Sequence, residues 1–473
     1  MPNKDALQQL KELAQRTLKE NVLTGFEDSG YTAASGKMKL NGENEERFLY
    51  PFQWLWDTFF IAAWNLNTDQ SLKDVQKFLN AQQANGFCGH IRYNRDILKK
   101  KEYFPPPEIY YKTGSLPESG EIISRITQPP NMGYGLLELA KKLSFTDATK
   151  NLFTEFFYKV FNYHNYIYAN RVFEGCVVTI HPWEAGDDNS PKWDRLYDRI
   201  RVDSATLGSL TELMENWLRK IEIKYERVDT KIIAPSQRPV DPHYDIYLLL
   251  IYLYGIWGWD EKTILKKSPF RVLDPMTNAI LLRSNSSLLE LYNLLGLTDG
   301  VLLGKLKQWL NVTKKGLDNL WSEKHGMYLT KDLFDGTLIE VETVSGLAPV
   351  FSREISREKA LAIEGKIALL RKDSRIKHII PSTFPSEGPA FEPNRYWRGP
   401  IWIITNELIS DGLDHYGFKD ASKLIREDSL SLIINSLDIN GGFYEYFNPI
   451  NASALGSAKQ SWTATATLKI IEP

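Results

Sequence analysis

Apolar residues recur at i, i+3, i+4 and i+7 along most of the chain, as in Leu7, Leu10, Leu13 and Leu18, and again in Leu207, Leu210, Leu213, Trp217 and Leu218. That spacing lays one stripe of a helix against a core. The same template predicts helices over roughly residues 55–66, 71–83, 131–143, 148–168, 243–256, 276–294, 304–321, 356–371, 400–416, 420–436 and 461–471. Strand-like alternation is short and scarce, clearest from Arg171 to Ile180. The pattern predicts a mainly α protein. No low-complexity linker or internal repeat divides it, so residues 1–473 are read as one domain.

Helix connections in compact bundles are usually a few residues long. Four predicted loops are far longer: Tyr93 to Ser124, Ile180 to Asp203, Pro381 to Pro400 and Gly441 to Ser461. They hold much of the Trp, Tyr, Pro and Gly. Long loops gathered at one end of a rigid scaffold are where binding and catalytic groups sit. The 93–124 segment, with Tyr103, Tyr110, Tyr111 and the run Pro105 to Pro107, reads equally as a lid or as a surface excursion. His90 and Tyr93 near its start are further candidates for substrate contact.

Composition narrows the class. Hydrophobic residues at 43% and charged residues at 25% are ordinary for a soluble globular chain, and no window approaches the roughly 18 uninterrupted apolar residues of a membrane span. Lys+Arg 57 against Asp+Glu 59 leaves a net charge of −2, with no basic excess to neutralise nucleic-acid phosphates. The amphipathic N-terminus lacks the apolar core of a secretory signal. Cys88 and Cys176 are the only cysteines and lack zinc or redox spacing. Both features point to the cytoplasm; a homo-oligomer stays open. The unusual number is the aromatic fraction, 12%, with 13 Trp and 23 Tyr. Flat rings with polar tips suit the apolar faces of a sugar.

Two segments carry candidate chemistry. His181-Pro-Trp-Glu-Ala-Gly-Asp-Asp-Asn-Ser-Pro-Lys-Trp-Asp194 sets four acids among Trp, Gly and Pro. It is either a catalytic loop, a loop whose acids cap and turn the backbone, or a calcium site, although the ligand order of an EF-hand is absent. In Gly441-Gly-Phe-Tyr-Glu-Tyr-Phe-Asn-Pro449, Glu445 is the only acid among rings, either a catalyst or an ion-paired core group. Two carboxyl groups facing each other across a glycosidic bond make the machinery of glycoside hydrolysis.

Tyr50-Pro-Phe-Gln-Trp-Leu-Trp-Asp57, Gln128-Pro-Pro-Asn131, the Asp188 loop, Tyr396-Trp-Arg-Gly-Pro-Ile-Trp402, and Glu445-Tyr-Phe-Asn-Pro449 followed by Gln460-Ser-Trp462 span nearly the whole chain. In this order they resemble glycoside hydrolase family 63, above all its short prokaryotic branch that hydrolyses mannosylglycerate and glucosylglycerate, and more distantly the trehalases and the processing glucosidase of N-glycan maturation. The resemblance implies an (α/α)6 barrel with long loops on one face forming the active site, and neither metal nor cofactor. It implies Asp188 as general acid and Glu445 as general base of an inverting hydrolysis. Inverting carboxyl groups stand about 6.5–9.5 Å apart, against about 5–5.5 Å in retaining enzymes.

The resemblance also implies a first sugar subsite in which Asp57 accepts hydroxyl hydrogen bonds and Tyr50, Trp54, Trp56, Gln128, Trp183, Tyr396, Trp397 and Trp402 form walls and donors. Gln237-Arg-Pro-Val-Asp-Pro-His-Tyr244 matches the place where the glycerate hydrolases present an Arg and a Tyr to the substrate carboxylate. That implies a leaving-group pocket of Arg238, Tyr244 and Gln460. Plainer readings stand beside these. Trp54, Trp56 and Trp402 fit a core, Asp57 fits a helix N-cap, Arg238 fits a salt bridge to Asp241 or Asp245, and Arg398 fits a brace for the Glu445 loop. Asp187 replaces the apolar residue more common before the catalytic Asp. A second anion there would raise the acid's pKa, whereas an exposed Asp187 would matter little.

The expected reaction is hydrolysis of 2-O-α-mannosyl- or glucosyl-D-glycerate, a small anionic sugar substrate that serves as a compatible solute. The alternatives are an α-glucosidase of the same fold acting on neutral di- or oligosaccharides, an inverting phosphorylase, and a non-catalytic sugar-binding protein.

Overall fold

Side-chain caps fix where several helices begin: Thr146, Asp274, Asp299 and Ser356 each accept a hydrogen bond from a backbone N–H in the following turn. The computed structural model describes residues 4–472 except 26–27, 40–45, 100–102, 112–115, 119, 203 and 222. The side chains of 202–211 are also outside the description, and with them the Leu207 and Leu210 positions of the periodic stripe. The principal helices in chain order are α1 (Lys4–Glu20), α2 (Leu55–Trp64), α3 (Thr68–Asn80), α4 (Met132–Lys141), α5 (Asp147–Asn170), α6 (Asp241–Ile256), α7 (Pro275–Leu294), α8 (Gly300–Asp318), α9 (Arg357–Arg371), α10 (Ile403–His415), α11 (Lys419–Asn440) and α12 (Ser461–Ile471).

Their packing closes a ring. α2 lies on α4, α4 on α7, α7 on the 3-10 segment Ala348–Ser352, that segment on α10, α10 on α12, and α12 back on α2. Outside it, α1, α3, α5, α8 and α11 back α12, α2, α4, α7 and α10, while α9 packs on α11. This is the (α/α)6 barrel, with one inner helix reduced to a 3-10 turn. Inner helices must be apolar almost all round, because both faces are covered; all ten residues of α2 are buried. One continuous core runs from Leu10 to Ile470. Among the described residues no helix is long and apolar enough to cross a membrane.

Two local expectations change. The Arg171–Ile180 stretch is a hairpin rather than one strand: Val172–Phe173 pairs with Cys176–Thr179 across Glu174 and Gly175, at φ 50° and 84°. Two consecutive positive φ values give the turn the twist that two-residue hairpins need. The Ile180–Asp203 stretch is not all loop. It holds the short helix Pro182–Ala185 and the helix Asp194–Val202, whose few apolar positions hid among charges. Between α5 and α7 the chain leaves the ring, and α6 packs on Ser204–Lys220 and on the 3-10 turn Pro107–Tyr110.

The acid-rich segment is tied to this frame through Glu184. Its carboxylate is buried, accepts hydrogen bonds from Thr127 N at 3.0 Å and Ile180 N at 2.9 Å, and pairs with the buried Arg171 at 2.6 Å. Removing Glu184 leaves the buried Arg171 to Glu261, 3.4 Å from its other nitrogen, so Glu184→Ala is expected to cost up to about 3–5 kcal/mol of stability, measured by guanidinium unfolding. A cost below about 1 kcal/mol, the range of exposed pairs, would show that Glu261 or water suffices for Arg171.

Candidate active site

The turn carrying Asp188 is set by its neighbours. His181 caps the helix Pro182–Ala185 by accepting from Trp183 N, and Gly186 ends it at φ +82°. A Cβ at Gly186 would meet the Trp56 ring at 2.5 Å, so only glycine lets the chain pass beneath that indole. Beyond it, the Asp188 carbonyl accepts hydrogen bonds from Tyr197 Oη at 2.6 Å and Tyr247 Oη at 2.9 Å. Asn189 Oδ1 accepts from Trp397 N at 2.9 Å. Asp194 takes a two-pronged pair from Arg398, both contacts 2.8 Å. Arg398 therefore braces the Asp188 loop, and not the Glu445 loop as its motif suggested. Among the described residues no other side chain hydrogen-bonds the Asp188 carboxyl, which lines the main cavity.

Glu445 reaches the same cavity from another loop. It precedes the strand Tyr446–Phe447, which pairs with Ala454–Leu455 and brings Ser457 alongside. Oε2 accepts from Ser457 N at 3.0 Å and Oε1 from Tyr50 Oη at 3.1 Å. Arg238 Nη1 lies 3.8 Å from Oε2. A Cβ on Gly456 would fall 2.5 Å from Oε2, so that glycine makes room for the carboxylate.

Tyr50, Trp54, Trp56, Asp57, Gln128, Trp183, Arg238, Tyr244, Tyr396 and Gln460 line this cavity together with Asp188 and Glu445. Asp57 is not an N-cap; Trp54 holds that position and Asp57 sits in the first turn of α2. Gln128 Oε1 accepts from Trp56 N at 3.2 Å, fixing the amide beside α2. Arg238 does not pair with Asp241 or Asp245. Its Nε donates to Asp229 Oδ2 at 3.0 Å, while Arg227 donates to both oxygens of Asp229, sharing Oδ2 with Arg238, and also to Asp241.

Trp397 and Trp402 do not line the cavity. They stack on each other at 4.0 Å with planes 3° apart, and Trp402 packs on Tyr396 at 5.1 Å and on Trp462 at 5.5 Å. Trp402 Nε1 donates to the Tyr396 carbonyl at 3.1 Å. Tyr396 has φ 44°, a left-handed backbone that costs a non-glycine residue roughly 1–3 kcal/mol and persists only where packing holds it. The two indoles supply that hold from behind.

Several lining residues were not assigned from sequence. His90 and Tyr93, further candidates for contact, line the cavity, as do Tyr103, Pro105 and Tyr110 of the candidate lid segment and Trp462 of the last motif. Phe104 stacks on Tyr244 at 6.2 Å, so the described part of the 93–124 segment covers the cavity against α6. Residues 100–102, 112–115 and 119 of that segment lie outside the described residues. The proline and tyrosine clustering was the signal available for this face.

Burial sets the protonation states. It raises Asp57 to about 8 and Asp188 to about 7; for Asp188 the nearby Arg238 pulls down and Glu445 pushes up. Glu445 is raised by burial, against the pull of Arg238, Ser457 N–H and the Tyr50 hydroxyl. Arg238 also stacks over Tyr396 at 4.3 Å. The cavity thus offers one carboxyl group that burial raises to about 7 and a second, also raised by burial, that two hydrogen-bond donors and the guanidinium 3.8 Å away pull back toward its charged form. That is the acid and base pairing of glycoside hydrolysis. Among the described residues no cluster of three His, Cys, Asp or Glu side chains is arranged to hold a metal. The four acids of the 181–194 segment have separate settings, which removes the calcium reading.

An all-helical barrel whose loops enclose two such carboxyl groups in an aromatic cleft is a glycosidase. Residues 50–463 match the sequence profile of the mannosylglycerate hydrolase MGH1-like glycoside hydrolase domain. The chain is 32% identical over 434 residues to the mannosylglycerate hydrolase of Thermus thermophilus, covering 89% of this chain and 94% of that one. It is 28% identical to the glucosylglycerate hydrolase of Mycolicibacterium hassiacum, covering 89% and 92%. The crystal structure of the Thermus thermophilus family 63 mannosylglycerate hydrolase with Tris and D-glycerate superposes with a TM-score of 0.80 at 30% identity, covering 97% of this chain and 99% of that one. The chain belongs to this family, the mannosylglycerate hydrolase branch of glycoside hydrolase family 63.

The raised acid makes a stability prediction. Folded Asp188 keeps its proton to about pH 7, whereas the unfolded side chain loses it near 3.8. Between those values the unfolded state binds fewer protons, so this group destabilises the fold increasingly as pH rises. Asp188→Asn is therefore expected to leave Tm unchanged below about pH 4 and to raise it by an amount that grows up to about pH 7 and then levels. A pH-independent difference in calorimetric Tm would contradict the burial of this carboxyl.

Proposed function

We propose that this glycosidase hydrolyses 2-O-α-mannosyl- or glucosyl-D-glycerate with inversion at the anomeric carbon, the whole chain acting as one catalytic unit. The observation that carries the substrate class is Arg238. It is 5% exposed and lines the cavity with Asp188 and Glu445, and among the described residues its Nη1 has no hydrogen-bond partner, with Glu445 Oε2 3.8 Å away. A buried guanidinium with a free N–H edge suits a carboxylate on the leaving group. Tyr244 and Gln460, whose buried Oε1 also lacks a partner, complete that end. Relatives that carry the names mannosylglycerate and glucosylglycerate hydrolase, and a structural neighbour solved with D-glycerate, support the same reading.

In this reading the sugar lies against Trp54, Trp56, Trp183 and Tyr396, and Asp57 accepts its hydroxyl hydrogen bonds. Asp188 gives its proton to the glycosidic oxygen as the bond breaks and positive charge develops on the ring. Glu445 removes a proton from the water that attacks the opposite face. The products are the β-sugar and glycerate, and the proton on Glu445 returns to Asp188 through solvent before the next turnover. The buried free thiols of Cys88 and Cys176 suit a reducing cytoplasm.

Proton NMR of digests of both glycosylglycerates tests this directly: the β-anomer should appear first, and an α-anomer first would overturn inversion. Asp188→Asn and Glu445→Gln are each expected to lower kcat by about 10²–10⁴-fold with the fold intact by circular dichroism. Arg238→Ala should raise KM for glycosylglycerates well above any change for trehalose or kojibiose. It should also move the acidic limb of the pH profile upward, because Glu445 loses the cation that holds it charged. Unchanged glycerate selectivity in that variant would remove the leaving-group assignment.

A further inference from the structure

Directly behind the general acid lies a charge cluster that the reaction does not use. Lys192 is 1% exposed; its Nζ is 2.6 Å from Asp187 Oδ2 and 2.5 Å from Asp274 Oδ1. Asp274 is fully buried and caps α7, an inner helix of the barrel. Besides Lys192 it accepts hydrogen bonds from Thr277 N at 2.9 Å, Thr277 Oγ1 at 3.1 Å, Ser345 Oγ at 2.9 Å and Thr330 Oγ1 at 3.3 Å. Asp187 is poorly supplied by comparison. Its Oδ2 meets Lys192 and its Oδ1 has no hydrogen-bond partner among the described residues.

Two ionised carboxylates and one ammonium would leave a net negative charge in a dry interior, and an unpaired buried charge costs far more than an unpaired neutral group. A single proton removes that charge. Asp274, with five donors, is the better anion, which leaves Asp187 as the proton's place. The groups facing Asp187 are Lys192, Asp274 and Asp188. Burial, then the neighbouring carboxylates, raise Asp187 to about 8 against the pull of Lys192, while Asp274 is lowered.

We propose that Asp187 is a positioning residue, a neutral carboxylic acid whose carbonyl oxygen accepts from Lys192 and so ties the Asp188 loop to the capped end of α7. The inference rests on Asp188 as the general acid. It assigns the residue beside that acid a role opposite to the one its charge suggests: Asp187 adds no anion to the site at neutral pH, and it holds the backbone from which Asp188 projects. Trp193 extends the tie, with Nε1 donating to the Asp187 carbonyl at 2.9 Å and Lys192 lying 4.4 Å over its ring.

Asp187→Asn copies the neutral group, and Asp187→Leu removes the acceptor while keeping the branching at Cγ. The asparagine variant should keep the parent's kcat and the alkaline limb of its pH profile. The leucine variant should lose about tenfold or more in kcat, the scale of a small misplacement of a catalytic group, with KM unchanged. If Asp187→Asn shifts the alkaline limb to lower pH, Asp187 is an anion and the proposal fails. If Asp187→Leu keeps full kcat, the positioning role fails. Should the leucine variant not fold, the infrared difference between parent and Asp187→Asn at pH 7 decides. Loss of a protonated-carboxyl band supports the proposal, and loss of a carboxylate band overturns it. That readout is independent of turnover, whereas an active Asp188→Asn would sink the assignment of the acid alone.

Discussion

Charge balance in a dry cavity is the constraint on which the site depends. Asp57, Asp188 and Glu445 all lose their water, and burial by itself would protonate each of them. Arg238 breaks that symmetry. It stands near Glu445 and pulls on both reacting carboxyl groups, yet Glu445 alone also receives hydrogen bonds from Ser457 and Tyr50. Burial raises both, and Glu445 has more donors to oppose it, which is the kind of difference acid and base catalysis needs. Arg238 is itself aimed by Asp229, whose two oxygens also accept from Arg227. A guanidinium placed this way can favour the anionic base and still present a free edge to an anionic ligand.

The barrel makes this balance durable. Its inner ring closes on itself, so the loops at one end start from helix ends that cannot drift apart. Aromatic stacking carries the rigidity outward: Trp397 and Trp402 stack together, Trp402 meets Trp462, and Trp462 meets Trp56 at 5.2 Å. Tyr396 rests on this stack in a backbone conformation it would not adopt alone. The rings that touch the cavity and the rings that only support them are neighbours in sequence with different tasks.

The acid-rich segment shows how one short stretch divides its charges. Glu184 anchors to Arg171, Asp187 to Lys192, Asp194 to Arg398, and Asp188 faces the cavity. Each anchored acid removes a degree of freedom from the one that remains. The segment therefore serves as structure and as chemistry, with three of its four acids held in ion pairs and not spent on capping the backbone or binding calcium.

Much of the fold was legible in the sequence, because the 3.6-residue period reports which side of each helix meets a core and survives without knowledge of its partner. The ordered motifs likewise brought together most of the residues around the cavity. What failed had no periodic signal. The helix Asp194–Val202 is largely charged, and the turn Glu174-Gly175 is a matter of two dihedral angles. Whether an indole touches ligand or holds Tyr396 depends on rings distant along the chain, which is why Trp397 and Trp402 were misplaced. The partner of Arg238 is likewise not the nearby Asp241 or Asp245 that the sequence offers but Asp229, on the other side of a turn that no local pattern marks. By itself the sequence determined the helical class, since that rests on local pattern, while the barrel and the roles of Asp188 and Glu445 came as what the resemblance of its ordered motifs implies and not from periodicity or spacing. Only the tertiary structure decided how strongly each acid holds its proton, because desolvation and the nearness of one guanidinium arise from groups that meet across the fold.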